Sequence, residues 1–164
     1  MPKIEEIDKI CMKSAEEWSK MSKCKRKKVA CIIYKPKNNT IISVGYNGTP
    51  SGFDNNCEDH VSGTTTNWWV LHAEANAIVK MARSKGESTK GTTLYTTCSP
   101  CKECAKLIIQ AGIKRVLYRD VYRDEPQLAY EALDLLKQGD VEVVGCLRYW
   151  YGWFTWFDKS TRWT

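Results

Sequence analysis

The chain has 164 residues, enough for one domain with its own hydrophobic core, and we expect residues 1–164 to form a single domain. Hydrophobic residues make up 43% and charged residues 27%, as in ordinary globular proteins, and no apolar run reaches the about 18 residues of a membrane span. The formal net charge of +6 suits an anionic partner such as a nucleotide or nucleic acid, although a solvated basic surface gives the same charge. Because the sequence starts without a signal-peptide pattern, we expect a cytoplasmic protein, in the host cytoplasm if the chain is viral.

The first part of the chain predicts a helix, a hairpin and a long loop. Apolar residues recur at helical spacing over residues 4–22, which predicts an amphipathic helix that buries Ile4, Ile7, Cys11, Ala15, Trp18 and Met21. The apolar run 29–34, the turn residues 35–39 and the run 40–46 predict a β-hairpin. Residues 47–71 read as one long loop, and a loop of that length in a small domain is usually functional.

The second part of the chain alternates helix and strand. The pattern predicts helices over 72–83, 101–111 and 127–138 and strands over 92–96, 115–119 and 141–144. Such alternation is typical of parallel strands joined by crossover helices. With the opening hairpin, we therefore predict an α/β fold with a mixed five-stranded sheet between helical layers. The aromatic-rich tail, residues 149–164, either covers this core or forms a subunit interface.

Two short motifs at predicted helix starts carry a metal-site pattern. Cys101 and Cys104 fall on one face of a helix start, and His72 offers an imidazole from another helix. Two thiolates and one imidazole leave one tetrahedral position open, as in catalytic zinc sites, where bound water becomes a nucleophile. Glu74, two residues after His72, is placed to move that water's protons. A histidine, an acid or a Cys-x-x-Cys alone would mean little, but together they match the zinc deaminase signature.

The other cysteines have simpler interpretations. The chain contains eight cysteines, and in a protein without a signal peptide they favour metal binding or burial over disulfides. Cys11 and Cys31 lie in apolar patterns and are expected in the core.

The chain resembles the deoxycytidylate deaminase family, within the cytidine deaminase-like superfamily, from about residue 18 to residue 144. The resemblance is strongest in three stretches, 45–52, 72–78 and 99–115. It implies a three-layer α/β/α cytidine deaminase-like fold. It also implies hydrolysis of dCMP to dUMP and ammonia, which supplies dUMP for thymidylate synthesis.

The resemblance also implies roles for single residues. His72, Cys101 and Cys104 would bind the catalytic Zn²⁺, and Glu74 would be the catalytic proton shuttle. Asn47 would help hold the sugar or base, and Tyr122 matches a substrate-contacting position, although a packed aromatic is an equal alternative. The phosphate would meet a basic residue, for which the sequence offers Arg26, Lys28 and Arg123 without choosing.

Further implications concern a second metal and regulation. Cys24 matches a cysteine that binds a structural zinc in some phage members, and Cys57 and His60 would complete three ligands, but the acidic ligand before the His-Ala-Glu motif is replaced by Val70. Cys98 departs from the family pattern and is either a spectator or an oxidation-sensitive thiol. Family members are often homohexamers that dCTP activates and dTTP inhibits, so the resemblance implies a homo-oligomer with dCTP and dTTP as effectors.

Two other functions share these residues. An RNA or DNA cytosine or adenine base deaminase would use the same metal chemistry, but the basic residues are scattered rather than arranged in a stripe with aromatics. A non-catalytic module with a structural zinc would need a fourth protein ligand beside His72 and no role for Glu74.

Overall fold

The computed structural model describes residues 4–83, 87–122, 126–148 and 154–156. Four α-helices lie in these residues: α1 (Ile4–Ser19), α2 (Ala73–Ala82), α3 (Lys102–Gln110) and α4 (Pro126–Gln138). They accompany six strands: β1 (Ala30–Lys35), β2 (Thr40–Tyr46), β3 (Thr93–Cys98), β4 (Arg115–Asp120), β5 (Glu142–Arg148) and β6 (Phe154–Trp156). None of the described helices is long and apolar enough to cross a membrane.

The strands form one mixed sheet in the order β2-β1-β3-β4-β5-β6. β1 is antiparallel to both β2 and β3, whereas β3, β4 and β5 are parallel. The predicted five-stranded mixed sheet is confirmed. The sixth strand, β6, pairs antiparallel with β5 and lies in the tail, where no strand was predicted. The rest of residues 149–164, with the choice between core cover and interface, lies outside the described residues.

Helices cover both faces of the sheet, which confirms the three-layer α/β/α prediction. On one face, α1 packs over Ile32, Tyr95 and Leu117. On the other face, α2, α3 and α4 share a core with the opposite sides of β1, β3 and β4. The two cores follow from alternation along the central strands, because successive side chains of a strand point to opposite faces. Cys11 and Cys31 are buried, as predicted.

The predicted buried face of α1 is wrong in part. Its buried stripe is Asp8, Cys11, Met12 and Ala15. Ile4 and Trp18 are exposed, and Met21 is exposed beyond the helix end. An acidic residue occupies the stripe because partners from the sheet neutralise Asp8: Arg115 donates two hydrogen bonds to its carboxylate and the Tyr95 hydroxyl donates a third.

Helix α2 lies unusually close to strand β2, and Gly45 makes this possible. A Cβ at Gly45 would lie 2.2 Å from the Ala73 carbonyl oxygen and 2.5 Å from the Ala77 nitrogen. Two side-chain hydrogen bonds hold the contact, from Ser43 Oγ to the Ala77 carbonyl (2.8 Å) and from Asn76 Nδ2 to the Tyr46 carbonyl (2.9 Å). The start of α2 is therefore fixed on the sheet.

Candidate active site

The predicted metal ligands sit at the starts of two neighbouring helices. His72 is the N-cap of α2 and Cys101 is the N-cap of α3. Cys104, three residues later, lies in the first turn of α3 on the same side as Cys101. The structure thus brings together the three residues that the sequence pattern selected.

The geometry of these three residues fits one zinc ion. His72 Nδ1 lies 3.4 Å from Cys101 Sγ and 3.5 Å from Cys104 Sγ. Zinc bonds of about 2.3 Å to sulfur and 2.0–2.1 Å to nitrogen in a tetrahedron place the two atoms about 3.6 Å apart. His72, Cys101 and Cys104 are also the one group of potential ligands with metal-site geometry in the described ranges. Three protein ligands leave a fourth position for water, as in catalytic zinc sites.

The neighbours of Cys101 favour its thiolate form. Hydrogen bonds from the Cys104 thiol and from His72 stabilise the Cys101 thiolate and lower the pKa of Cys101. The same contact to Cys101 raises the pKa of the His72 ring. The positive ends of α2 and α3 point at the cluster and favour its negative charge. The site is therefore prepared for a cation.

Glu74 lies beside the ligands but is not one of them. It is the second residue of α2 and is buried, with 4% of its surface exposed. Burial raises the pKa of its carboxyl group, while a hydrogen bond from its own backbone N–H and the nearby His72 act in the opposite direction. A carboxyl with a raised pKa next to a metal ligand set is suited to accept and return a proton near neutral pH.

The ligands and Glu74 border a cavity of about 980 Å³, at the upper end of the about 300–1,000 Å³ typical of small-molecule sites. One wall comes from the chain leaving β3 and β4, including Cys98, Ser99 and Tyr122. The adjoining wall, which we call the basic wall, is the segment 24–29, which leads into β1 and carries Arg26 and Lys27. The walls meet because β1 and β3 are antiparallel, so the start of β1 lies beside the end of β3.

Asn47 and Tyr122 both border the cavity, as expected of substrate-binding residues. Asn47 is already engaged on both sides of its amide, because its oxygen accepts from the Val29 N–H (2.8 Å) and its nitrogen donates to the Lys27 carbonyl (2.8 Å). One N–H of the Asn47 amide is left over. Asn47 thus shapes the 24–29 wall, and its role toward substrate stays a prediction.

The second-zinc candidates are not arranged as a ligand set. Cys24 and Cys57 are joined by a disulfide, so neither offers a thiolate. His60 is exposed and its ring contacts Asn56 Nδ2 at 3.1 Å. The expectation that cysteines in this chain favour metal binding or burial over disulfides does not hold for this pair.

Sequence reasoning missed the residues that build the basic wall. Glu58 is 3% exposed and its Oε1 accepts from the backbone N–H groups of Lys25 (2.8 Å) and Arg26 (3.1 Å). Among the phosphate candidates, Arg26 borders the cavity, Lys28 is exposed and does not, and Arg123 lies outside the described residues. Lys27, which was not a candidate, does border it. The run Lys25–Lys28 signals charge but not which side chain faces inward.

The fold and the site define a three-layer α/β protein with an open zinc-binding set. A family model for the cytidine and deoxycytidylate deaminase zinc-binding region matches residues 5–120. The chain is 46% identical over 112 residues to a probable deoxycytidylate deaminase of Drosophila melanogaster, a match that covers 59% of this chain and 51% of that protein. It is 35% identical over 164 residues to deoxycytidylate deaminase of Enterobacteria phage T4, with 76% and 82% covered.

A solved structure is also similar. The dCMP deaminase from cyanophage S-TIM5, crystallised in complex with dCMP and dUMP, superimposes with a TM-score of 0.78 at 47% identity, covering 88% of this chain and 99% of that one. The chain spans about half the length of the fly relative and about four fifths of the phage T4 relative. The chain belongs to the cytidine and deoxycytidylate deaminase family.

Proposed function

We propose that this chain catalyses the zinc-dependent hydrolysis of dCMP to dUMP and ammonia, which supplies dUMP for thymidylate synthesis. The observation that carries the reaction type is the buried Glu74 beside the His72, Cys101 and Cys104 set, on the border of a nucleotide-sized cavity. The choice of substrate is supported by the cyanophage relative, whose structure contains dCMP and dUMP.

The proposed reaction divides the work between metal and protein. His72, Cys101 and Cys104 would hold zinc, which when bound lowers the pKa of a coordinated water from 15.7 to about 7. Glu74 accepts one proton of the water as the water oxygen bonds to C4, and delivers this proton to N3 of the cytosine ring. Glu74 then takes the proton of the hydroxyl now on C4 and transfers it to the amino group, and the bond from C4 to the amino nitrogen breaks to release ammonia. One water is consumed and one ammonia released, and the carboxylate is regenerated.

The structure also supports a division of the binding roles. Tyr122 borders the cavity, and its backbone N–H is held by Ser99 Oγ at 2.9 Å, which fixes the residue that faces the substrate. Asn47 holds the backbone at Lys27 and Val29, and the second N–H of its amide would donate to the sugar or base. These two residues therefore bind and orient, while Glu74 moves protons.

The experiment that tests this function follows the loss of cytosine absorbance for deoxycytidine, dCMP and dCTP side by side. We expect rapid turnover of dCMP by the zinc-loaded wild type, and a decrease in kcat of about 10²–10⁴-fold in Glu74→Gln, the usual contribution of a general acid–base. Glu17→Gln is the matched control, because Glu17 is exposed, pairs with Lys20 at 2.6 Å and does not border the cavity. Equal rates in wild type and Glu74→Gln, or turnover of none of the three, would refute the proposal.

Assembly and regulation extend the proposal. We infer a homo-oligomer, a hexamer by resemblance, and a response to dCTP and dTTP felt through the stretch Gly45–Gly48 at the end of β2, since that stretch adjoins the start of α2. Light scattering and an activity titration with each triphosphate measure these properties. A monomer, or rates unaffected by either triphosphate, would remove the corresponding inference.

A further inference from the structure

Lys27 borders the cavity but belongs neither to the proposed zinc ligands nor to the proton transfer assigned to Glu74. Its Nζ lies 4.6 Å from the centre of the Tyr122 ring, a cation–π distance. Burial raises the pKa of the Cys98 thiol and the nearby Lys27 ammonium acts in the opposite direction, so Lys27 also lies close to this buried thiol. A thiol and an aromatic ring hold the ammonium group in place without neutralising its charge. Among the residues that the structure describes, no carboxylate forms an ion pair with Lys27.

The backbone that carries Lys27 is fixed from several sides. Asn47 donates to its carbonyl at 2.8 Å and accepts from the Val29 N–H at 2.8 Å. Glu58 accepts from the two preceding backbone N–H groups, and the Cys24–Cys57 disulfide ties the start of the segment to the long loop. Such support is what a binding group requires if its position is to be set before the ligand arrives.

Other cations near the cavity are engaged differently. The Arg26 guanidinium donates to Thr66 Oγ1 at 3.1 Å and is exposed, and Lys102 pairs with Glu131. The Asp120 carboxylate on the facing wall is bound to Arg119 at 2.6 Å. Lys27 borders the cavity, is less exposed than Arg26 and lies against an aromatic ring rather than a carboxylate, and a lysine ammonium is a common binder of phosphate.

We propose that Lys27 is a specificity-determining residue that binds the 5′-phosphate and selects the nucleoside monophosphate over the nucleoside. This inference rests on the proposed function. The aromatic ring of Tyr122 orients the ammonium group, and Cys98 lies on the same wall of the cavity as Tyr122. Glu74 and the metal ligands act on the base, whereas Lys27 acts on the other end of the substrate.

The test compares dCMP with deoxycytidine as substrates of the zinc-loaded enzyme. In Lys27→Gln we expect kcat/KM for dCMP to decrease about 10- to 100-fold, the loss expected for one charge-assisted hydrogen bond, while kcat/KM for deoxycytidine changes less than about twofold. Lys27→Arg keeps the positive charge and should retain most of the preference for dCMP. Lys28→Gln is the matched control, because Lys28 is adjacent, has the same charge and does not border the cavity.

Binding measurements separate this inference from the proposed function. Calorimetric titration of the zinc-loaded protein with dUMP and with deoxyuridine needs no turnover, and the preference for dUMP should fall in Lys27→Gln and persist in Lys28→Gln. If wild type turns over no substrate but binds dUMP in this Lys27-dependent way, the proposed function fails and the inference stands. Equal losses for nucleotide and nucleoside, or an unchanged preference for the phosphate in Lys27→Gln, would overturn the inference.

Discussion

Asp8 in α1 and Arg115 at the start of β4 form a two-point ion pair, with nitrogen–oxygen distances of 2.7 and 2.8 Å, across 107 residues of sequence. Asp8 is 1% exposed, and its Oδ1 also accepts the Tyr95 hydroxyl at 2.6 Å. The pair joins α1 to the sheet on the face opposite α2 and α3, which carry the metal ligands. It therefore supports the fold without contacting the cavity.

Removing Arg115 should destabilise the protein strongly. Arg115→Met leaves a buried carboxylate without its cation, so we expect the free energy of unfolding to fall by about 3–5 kcal/mol, measured by denaturant titration. Glu142→Gln is the control, because Glu142 approaches Arg115 at 3.6 Å from an exposed position, and its loss should cost at most about 1 kcal/mol. A loss below about 1 kcal/mol in Arg115→Met would show that the pair contributes little.

Gly45 should tolerate no side chain. In Gly45→Ala the new methyl group would collide with the backbone of α2 at Ala73, so we expect a loss of about 1–3 kcal/mol or more and weaker zinc binding, since α2 carries His72. Gly48→Ala is the control, because a Cβ at Gly48 meets no atom within 4 Å. Thermal melting and a chelator competition measure both effects. Equal stability of the two variants would mean that α2 shifts freely over β2.

Zinc removal should loosen the contact between α2 and α3. The ligands come from both helices, and binding to the folded state alone adds about 4 kcal/mol when free zinc exceeds its Kd by 1,000-fold. A chelator should therefore lower the Tm of wild type and of Cys98→Ser, whose thiol lies outside the ligand set. Cys101→Ser should start with the lower Tm and show no further change. A chelator effect that persists in Cys101→Ser would place the metal elsewhere.

The Cys24–Cys57 disulfide should stabilise the basic wall of the cavity. The bond closes a loop with a sequence separation of 33, for which chain entropy gives about 3–4 kcal/mol. A dithiol reductant should therefore lower the stability of wild type and raise the KM for dCMP, while a Cys24→Ser, Cys57→Ser double variant shows both effects without reductant. Zinc analysis of the reduced protein tests the second-zinc prediction at the same time. One zinc per chain in both redox states would reject it.

Much of the fold follows from local patterns. The strand Thr40–Tyr46 is predicted to the residue, and the other predicted elements differ at their ends by up to three or four residues. Periodic burial produces these patterns, so they remain visible in one sequence. Local patterns do not predict the burial of Asp8, because its place in the buried stripe depends on Tyr95 and Arg115, which lie 87 and 107 residues away.

The grouping of His72, Cys101 and Cys104 could be predicted from local spacing, whereas the position of Lys27 could not. Cys101 and Cys104 are spaced by one helix turn, and the helix start that aligns them is itself encoded nearby. The inward direction of Lys27 instead depends on Asn47 and Glu58, which hold the backbone around it from the long loop and the end of β2. No local pattern in the run Lys25–Lys28 records those contacts.

The antiparallel pairing of β1 with β3 has a consequence for how selectivity can change. It brings the segment 24–29 to the cavity from outside the two helices that carry the ligands and Glu74. In the proposed function, the phosphate-binding Lys27 and the proton-transferring Glu74 therefore come from separate stretches of the chain. Exchanging the segment 24–29 should therefore change which 5′-phosphorylated substrate is preferred, while the metal ligands and Glu74 stay in place. This segment is the part of the chain to vary when a different substrate specificity is wanted.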